Sequence, residues 1–257
     1  FVPEEYWTFG ADFATDPDAA PSIEASLYSV GEQRLATPKD LEGKSEARQA
    51  KLRVVRSQEE ADALVERARA LDYAVTEVRR TEAKRNPKPP FKTSTLQGEA
   101  SKYGFSARQT MAVAQQLYEG INLGGEQVGL ITYMRTDSIN LSDQALGEIT
   151  TLVGERYGSR YTLDKPRRFA GKTKGAQEAH EAIRPAGDSF RTPAQVAREL
   201  SGEQFRLYEL IWKRTVASQM ADAKGSTASV RLGATSADGK DAEFAASGTV
   251  ITFRGFL

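Results

Sequence analysis

Hydrophobic and polar positions alternate in two early stretches, Ile23-Glu-Ala-Ser-Leu27 and Lys51-Leu-Arg-Val-Val55, the period of half-buried strands. The period then lengthens. Ser57 with Glu60 forms a capping-box pattern, and Ala61, Leu64, Val65, Ala68 and Leu71 recur at helical spacing. Residues 73–82 return to alternation. In Lys84-Arg-Asn-Pro-Lys-Pro-Pro90, three prolines in four positions remove backbone donors and interrupt both periods, which marks a boundary.

Beyond that boundary the pattern is mainly helical. Ser106 predicts the cap of a helix through Glu119, with Met111, Ala114, Gln115 and Tyr118 recurring by turns. Ser142 predicts another to Tyr157, with Ala145, Ile149, Leu152 and Val153 on one face. Thr192 before Pro193 starts a short helix, because proline at the first helical position forfeits no hydrogen bond. Residues 203–220 predict a longer helix whose Tyr208, Ile211, Trp212, Thr215 and Val216 face inward. Alternation returns from about residue 224, in 227–232, 242–246 and 249–253. Strands at both ends around a helical middle predict an α+β chain, a helical domain inserted into a β-rich one. The expected segments are 1–85 and 222–257 for the β-rich domain and 86–221 for the helical domain.

Composition narrows the chemistry. With no cysteine and a single histidine, His180, thiolate nucleophiles, disulfides and multi-histidine or zinc–cysteine sites are excluded. No apolar run reaches the ~20 residues of a membrane span, so no membrane partner is expected, and a cytoplasmic location is. The 35 basic and 35 acidic residues balance. Locally they do not: Arg79, Arg80, Lys84, Arg85, Lys88 and Lys92 cluster, as do Arg160, Lys165, Arg167, Arg168, Lys172 and Lys174. Each run alone reads as solvated loop. Asp16 and Asp18, around Pro17, read as a solvated turn. The chain begins at Phe1 and stops at Leu257 within an apolar pattern, which suggests a fragment.

The densest chemistry is Thr132-Tyr-Met-Arg-Thr-Asp-Ser138, with a phenol, a guanidinium, hydroxyls and a carboxylate. In extended chain, positions i and i+2 share a side, so Tyr133 and Arg135 could both face one phosphate. An ordinary phenol titrates near ~10 and needs partners to attack anything at neutral pH. Thr-Asp-Ser is also common turn chemistry, so the residues alone leave a structural tyrosine open.

The stretch resembles the active-site signature of bacterial type IA DNA topoisomerases. So do Phe1-Val-Pro-Glu-Glu-Tyr-Trp7, Pro90-Phe-Lys-Thr-Ser-Thr-Leu96, Met111-Ala-Val-Ala-Gln-Gln-Leu-Tyr-Glu119, Gln177-Glu-Ala-His-Glu-Ala-Ile-Arg-Pro185 and the stretch 207–220, in the family's order. Met134 points to the topoisomerase I branch. The resemblance implies a winged-helix/CAP-like domain inserted in the β-rich arch of a torus, with hinges near 85–91 and 221–225. It implies that Tyr133 forms a 5′-phosphotyrosine without ATP while Arg135 neutralises the scissile phosphate. Gln115, Glu119, Thr132, Thr136 and Asp137 would line the site, and His180 and Arg184 would contact DNA. The implied partners are single-stranded DNA and the enzyme's remaining domains, in a nucleoid-associated protein relaxing negative supercoils.

Two departures accompany the resemblance. Gly120-Ile-Asn-Leu-Gly-Gly-Glu-Gln-Val128 is longer than the family's shortest versions and should loop out at Gly124-Gly125. The Toprim domain, whose acidic cluster binds Mg²⁺ in the family, has no counterpart in these residues; no metal or cofactor is expected in this chain. The fragment alone should therefore be inactive. The alternative is a non-enzymatic, single-stranded nucleic-acid-binding module.

Overall fold

The computed structural model describes residues 6–16, 18, 20, 22–31, 33–41, 51–169, 180–187, 190–235 and 242–257. The chain divides into two compact units. One is Phe1–Ala83 with Gly225–Ile251, and the other is Lys84–Lys224 with Thr252–Leu257.

The first unit is β-rich. Strands β1 (Gly10–Phe13), β2 (Ile23–Val30), β3 (Gln33–Arg34), β4 (Ala74–Arg85), β7 (Ala223–Ala234) and β8 (Ala242–Phe253) form one sheet in the order β1-β2-β8-β7-β4, with β3 on β2. Residues from both ends of the chain thus share one ladder, as in the register Leu27↔Phe244. Helix α1 (Pro38–Leu41) and helix α2 (Gln58–Arg69) accompany the sheet. The Ser57 hydroxyl accepts from Glu60 N–H at 3.2 Å, which starts α2, and Ala61 and Leu64 are buried. They join a core of Leu27, Val30, Leu35, Val55, Leu232 and Phe244. Phe13, Tyr73 and Phe244 close it with edge-on contacts of 5.1–5.3 Å between ring centroids.

Two expectations about these strands are corrected, and a third, the strand over 73–82, is met by β4. Residues 51–55 are not a strand; only Arg53 pairs, as a single parallel bridge with Leu35, and its side chain turns to Glu60 at 3.0 Å. The stretches 242–246 and 249–253 are one strand, β8, and its neighbour β7 likewise exceeds the expected 227–232. Strand β4 alternates in sequence yet is exposed along almost its whole length, including Val75 and Val78. As the last strand of the sheet it fits charged edge protection rather than a buried face.

The second unit is mainly helical. Its elements are α3 (Thr93–Ala100), α4 (Ala107–Glu119), the hairpin β5–β6 (Ile121–Leu123 and Glu126–Val128), α5 (Asp143–Tyr157), α6 (Pro193–Val196) and α7 (Gly202–Ser218). Ser106, Ser142 and Ser201 each accept a backbone N–H three residues on, satisfying donors that an uncapped helix leaves bare. Leu96, Leu117, Met134, Ile149, Ile183 and Ile211 are fully buried in one core. Each such apolar side chain contributes about 1.5–3 kcal/mol relative to exposure. On α7 the inward stripe includes Leu207, Tyr208, Ile211, Trp212, Thr215 and Val216. Tyr208 donates to Arg191 C=O at 2.6 Å, and burial pushes its pKa well above the usual tyrosine value.

In the second basic run Arg160, Lys165 and Arg168 are exposed, as a solvated loop would have them, and Arg167 departs from that reading. Arg167 donates to Ser218 C=O, Met220 C=O and the Asp222 carboxylate at 2.6–3.3 Å. Arg160 lies over Phe253, and Arg168 pairs with Asp143. From the first run, Lys84 pairs with Asp222 at 2.9 Å. Lys172 and Lys174 lie outside the described residues.

Candidate active site around Tyr133

Helix α4 sets the site's floor. Thr110, Val113, Ala114 and Leu117 are its buried stripe, so Tyr118 and Glu119 fall on the exposed side. This corrects the phase expected from Met111, Ala114, Gln115 and Tyr118. On the exposed side Gln115 donates to Glu119 at 2.5 Å. The hairpin β5–β6 follows, turning at Gly124 and Gly125, whose φ of 68° and 103° suits residues without a side chain. The chain then returns against its own helix. Leu130 N–H donates to Leu117 C=O at 2.7 Å, and at Gly129 a Cβ would stand 2.8 Å from Tyr118 O, so only glycine fits unshifted.

From there burial alternates along an extended loop. Met134, Thr136 and Ser138 are buried, whereas Tyr133, Arg135 and Asp137 are exposed. The buried set sits in the core of the helical unit and forces the other set outward. Tyr133 is 44% exposed, with its ring edge-on to Tyr118 at 5.4 Å and 67°. The side chains of Tyr133, Arg135, Asp137 and His180 have no hydrogen-bond or ion-pair partner among the described residues, which leaves them available to a ligand.

Thr132 and Thr136 serve differently. The Thr132 hydroxyl donates to Ala182 C=O at 2.7 Å and accepts from Arg184 N–H at 3.0 Å, while Thr136 Oγ1 accepts from Ser138 N–H at 3.1 Å. These hydroxyls shape the loop. They belong to the site's frame and not to its exposed side.

The segment 180–187 is not helical. Ala182 N–H donates to Asn140 C=O, Ile183 N–H to Phe91 C=O and Thr132 N–H to Arg184 C=O, all at 2.8–2.9 Å. His180 is exposed at its start; Gln177, Glu178 and Ala179 lie outside the described residues. Arg184 is folded inward. It forms two bonds to Glu181 Oε2 at 2.6 and 3.1 Å, one to Pro185 C=O at 2.8 Å, and it lies over the Phe190 ring. Glu181 also accepts from Ser142 N–H at 2.8 Å. Burial alone would raise the Glu181 pKa, but Arg184 and the Ser142 N–H outweigh it and hold the carboxyl below its ordinary value.

Sequence reasoning gave no role to two residues at this site. Tyr118 sits beside Tyr133, and the stripe Thr110, Val113, Ala114, Leu117 could have assigned it outward. Thr93 bonds the loop backbone across 41 and 43 residues, a pairing that no local pattern encodes. Cavities of about 810 and 560 Å³ elsewhere in the helical unit include none of the candidate residues. Among the described residues no three His, Asp or Glu side chains converge in one place.

The fold is that of a topoisomerase I. The full-length topoisomerase I of Thermotoga maritima matches with a TM-score of 0.70 and 33% identity, covering 100% of this chain and 36% of that one. A profile for the family described as DNA topoisomerase matches residues 1–257. DNA topoisomerase 1 of Streptomyces coelicolor is 47% identical over 262 residues, and that of Mycolicibacterium smegmatis 45%. Both alignments cover 100% of this chain and 26% or 27% of the relative, so the chain spans about a quarter of their length. The chain belongs to the bacterial type IA DNA topoisomerase family.

Proposed function

We propose that this chain carries the nucleophilic tyrosine of a DNA topoisomerase that cleaves one strand, passes another and religates. One observation carries the reading: Tyr133 and Arg135 are exposed together on a loop whose intervening residue, Met134, is anchored in the core. Arg135 and His180 meet the scissile phosphate with cationic or N–H donors, and the planar guanidinium suits the equatorial oxygens. The Tyr133 hydroxyl gives up its proton as its oxygen attacks phosphorus, the P–O3′ bond breaks, and the departing 3′ oxygen takes up a proton, so that none is gained or lost overall. The product is a tyrosine ester of the 5′-phosphate beside a 3′-hydroxyl. One phosphoester replaces another, so the reverse attack reseals the strand without ATP.

Gln115, Glu119 and Asp137 line the exposed side, where proton transfer to and from the departing 3′ oxygen takes place. Helix α4 with the β5–β6 hairpin forms the winged-helix-like part that holds the cleaved end. Mg²⁺ in this reading belongs to residues outside this chain, and no step above passes through it. Single-stranded DNA is the substrate, and relaxation of negative supercoils in the cytoplasm, at the nucleoid, is the activity of the complete enzyme.

The test mixes the chain with a 3′-end-labelled single-stranded oligonucleotide and Mg²⁺, with and without a separately produced Toprim-containing portion. Label should reach denatured protein only in the reconstituted mixture, and Tyr133→Phe should abolish it. Label from the chain alone would contradict the incompleteness of its site. No label with both parts folded and associated favours the binding-module alternative.

A further inference from the structure

We infer that Thr93 is a positioning residue for the Tyr133 nucleophile, acting through the backbone of the loop that carries it. The inference rests on the reading of Tyr133 given above. Thr93 opens helix α3, far from Tyr133 in sequence, yet it bonds the loop on both sides of Arg135. Its Oγ1 is 2.7 Å from Met134 O, 3.0 Å from Thr136 O and 2.9 Å from Thr136 N. Its backbone N–H donates to Thr136 C=O at 2.9 Å. A hydroxyl has one proton. Thr136 C=O is already served by the Thr93 N–H, so the Oγ1 proton goes to Met134 C=O, the nearer acceptor. The same oxygen accepts from Thr136 N–H. Three bonds therefore hold three successive peptides, 134–135, 135–136 and 136–137, of which the first two bracket Arg135.

The anchor is itself packed into the core. Leu96, one turn into α3, is fully buried, and so is Phe91, whose carbonyl takes the Ile183 N–H. Thr132 clasps the loop's other flank against residues 182–184. Tyr133 thus stands between two threonine clasps while its own hydroxyl stays unbonded among the described residues. The arrangement fixes the direction of the phenol without spending its oxygen. In-line attack requires such placement, since a shift of about 1 Å can cost as much as ~10²-fold in rate.

The variant Thr93→Val keeps the shape of the side chain and removes the hydroxyl; Thr93→Ser keeps the hydroxyl and removes the methyl. Both are compared in the complete topoisomerase that contains this chain, by single-turnover cleavage of a labelled single-stranded oligonucleotide at several DNA concentrations. Thr93→Val should lower the maximal cleavage rate about tenfold, or about 1.4 kcal/mol, with the half-saturating DNA concentration unchanged. Thr93→Ser should stay within about twofold of the unsubstituted protein, because its hydroxyl retains both bonds. In this chain, amide exchange at Thr136 should accelerate in Thr93→Val while α4 and α7 keep their protection.

An unchanged rate in Thr93→Val overturns the inference. An equal loss in Thr93→Ser overturns it too, since a retained hydroxyl would then fail to preserve the rate. So does a loss that tracks a falling melting temperature and faster exchange throughout the unit, which marks a purely structural residue. Failure of the unsubstituted enzyme to form any adduct overturns the nucleophile reading itself, an outcome distinct from a normal adduct that is indifferent to Thr93.

Discussion

Truncating Met134 to alanine separates the loop's anchor from its chemistry. Met134 has no exposed surface, and its neighbour Tyr133 is 44% exposed. Removing a buried methionine side chain costs about 2–5 kcal/mol, the upper part of that range where the surroundings cannot collapse. Here they are constrained. Thr93 and Thr132 hold the backbone on either side of Met134, which argues for about 3 kcal/mol. At about 2–4 °C per kcal/mol for a domain of this size, the helical unit should melt about 6–12 °C lower. Tyr133→Phe, one residue away, removes a hydroxyl with no partner among the described residues and should stay within about 0.5 kcal/mol. The assay is thermal unfolding followed by Trp212 fluorescence in a Trp7→Phe background, because Trp212 is buried in the helical unit. A Met134→Ala cost below about 1 kcal/mol would refute the anchoring argument, as would a comparable cost for Tyr133→Phe.

Two further outcomes separate the Glu181–Arg184 pair from the exposed His180. Arg184→Met keeps apolar contact with Phe190 but removes the charged partner of Glu181, and should cost about 1.5–3 kcal/mol by urea unfolding. His180→Ala should leave the urea midpoint unchanged and weaken single-stranded DNA binding in salt titrations; the reverse pattern would exchange the two roles. The pH dependence has a definite sign. Glu181 and Glu99 have pKa values lowered from an ordinary 4.5, the latter mainly by the Lys102 hydrogen bond, so their stabilisation is complete above that value. It is lost as pH falls through the lowered folded-state values, so urea midpoints should drop below pH ~4.5, less steeply in Glu181→Gln. Midpoints that are flat with pH would contradict it.

Much of the helical unit is legible in sequence because serine caps and 3.6-residue stripes are local signals. The starts at Ser106 and Ser142 are readable for that reason, as is the start at Ser57 in the β-rich unit. Long-range pairing is not local. Alternation in 73–82 marks a strand and β4 forms there, but its exposure is not legible, since period says nothing about which strand closes a sheet. Arg167 looked like a solvated charge; Asp222, 55 positions later, takes its guanidinium. At the site, the outward sharing of Tyr133 and Arg135 follows from the i, i+2 rule in extended chain. The inward turn of Arg184 accompanies bonds from Ala182, Ile183 and Arg184 to Asn140, Phe91 and Thr132, far away in sequence, which no local pattern encodes.

The most direct measurement identifies which residue holds DNA after cleavage. The reconstituted enzyme is reacted with a single-stranded oligonucleotide, denatured and digested with protease, and the DNA-bearing peptide is sequenced by mass spectrometry. The account predicts one modified residue, Tyr133, esterified to a 5′-phosphate, with a free 3′-hydroxyl on the released fragment. A 3′-phosphate ester, or a modification at Tyr118 or any other residue, would contradict it.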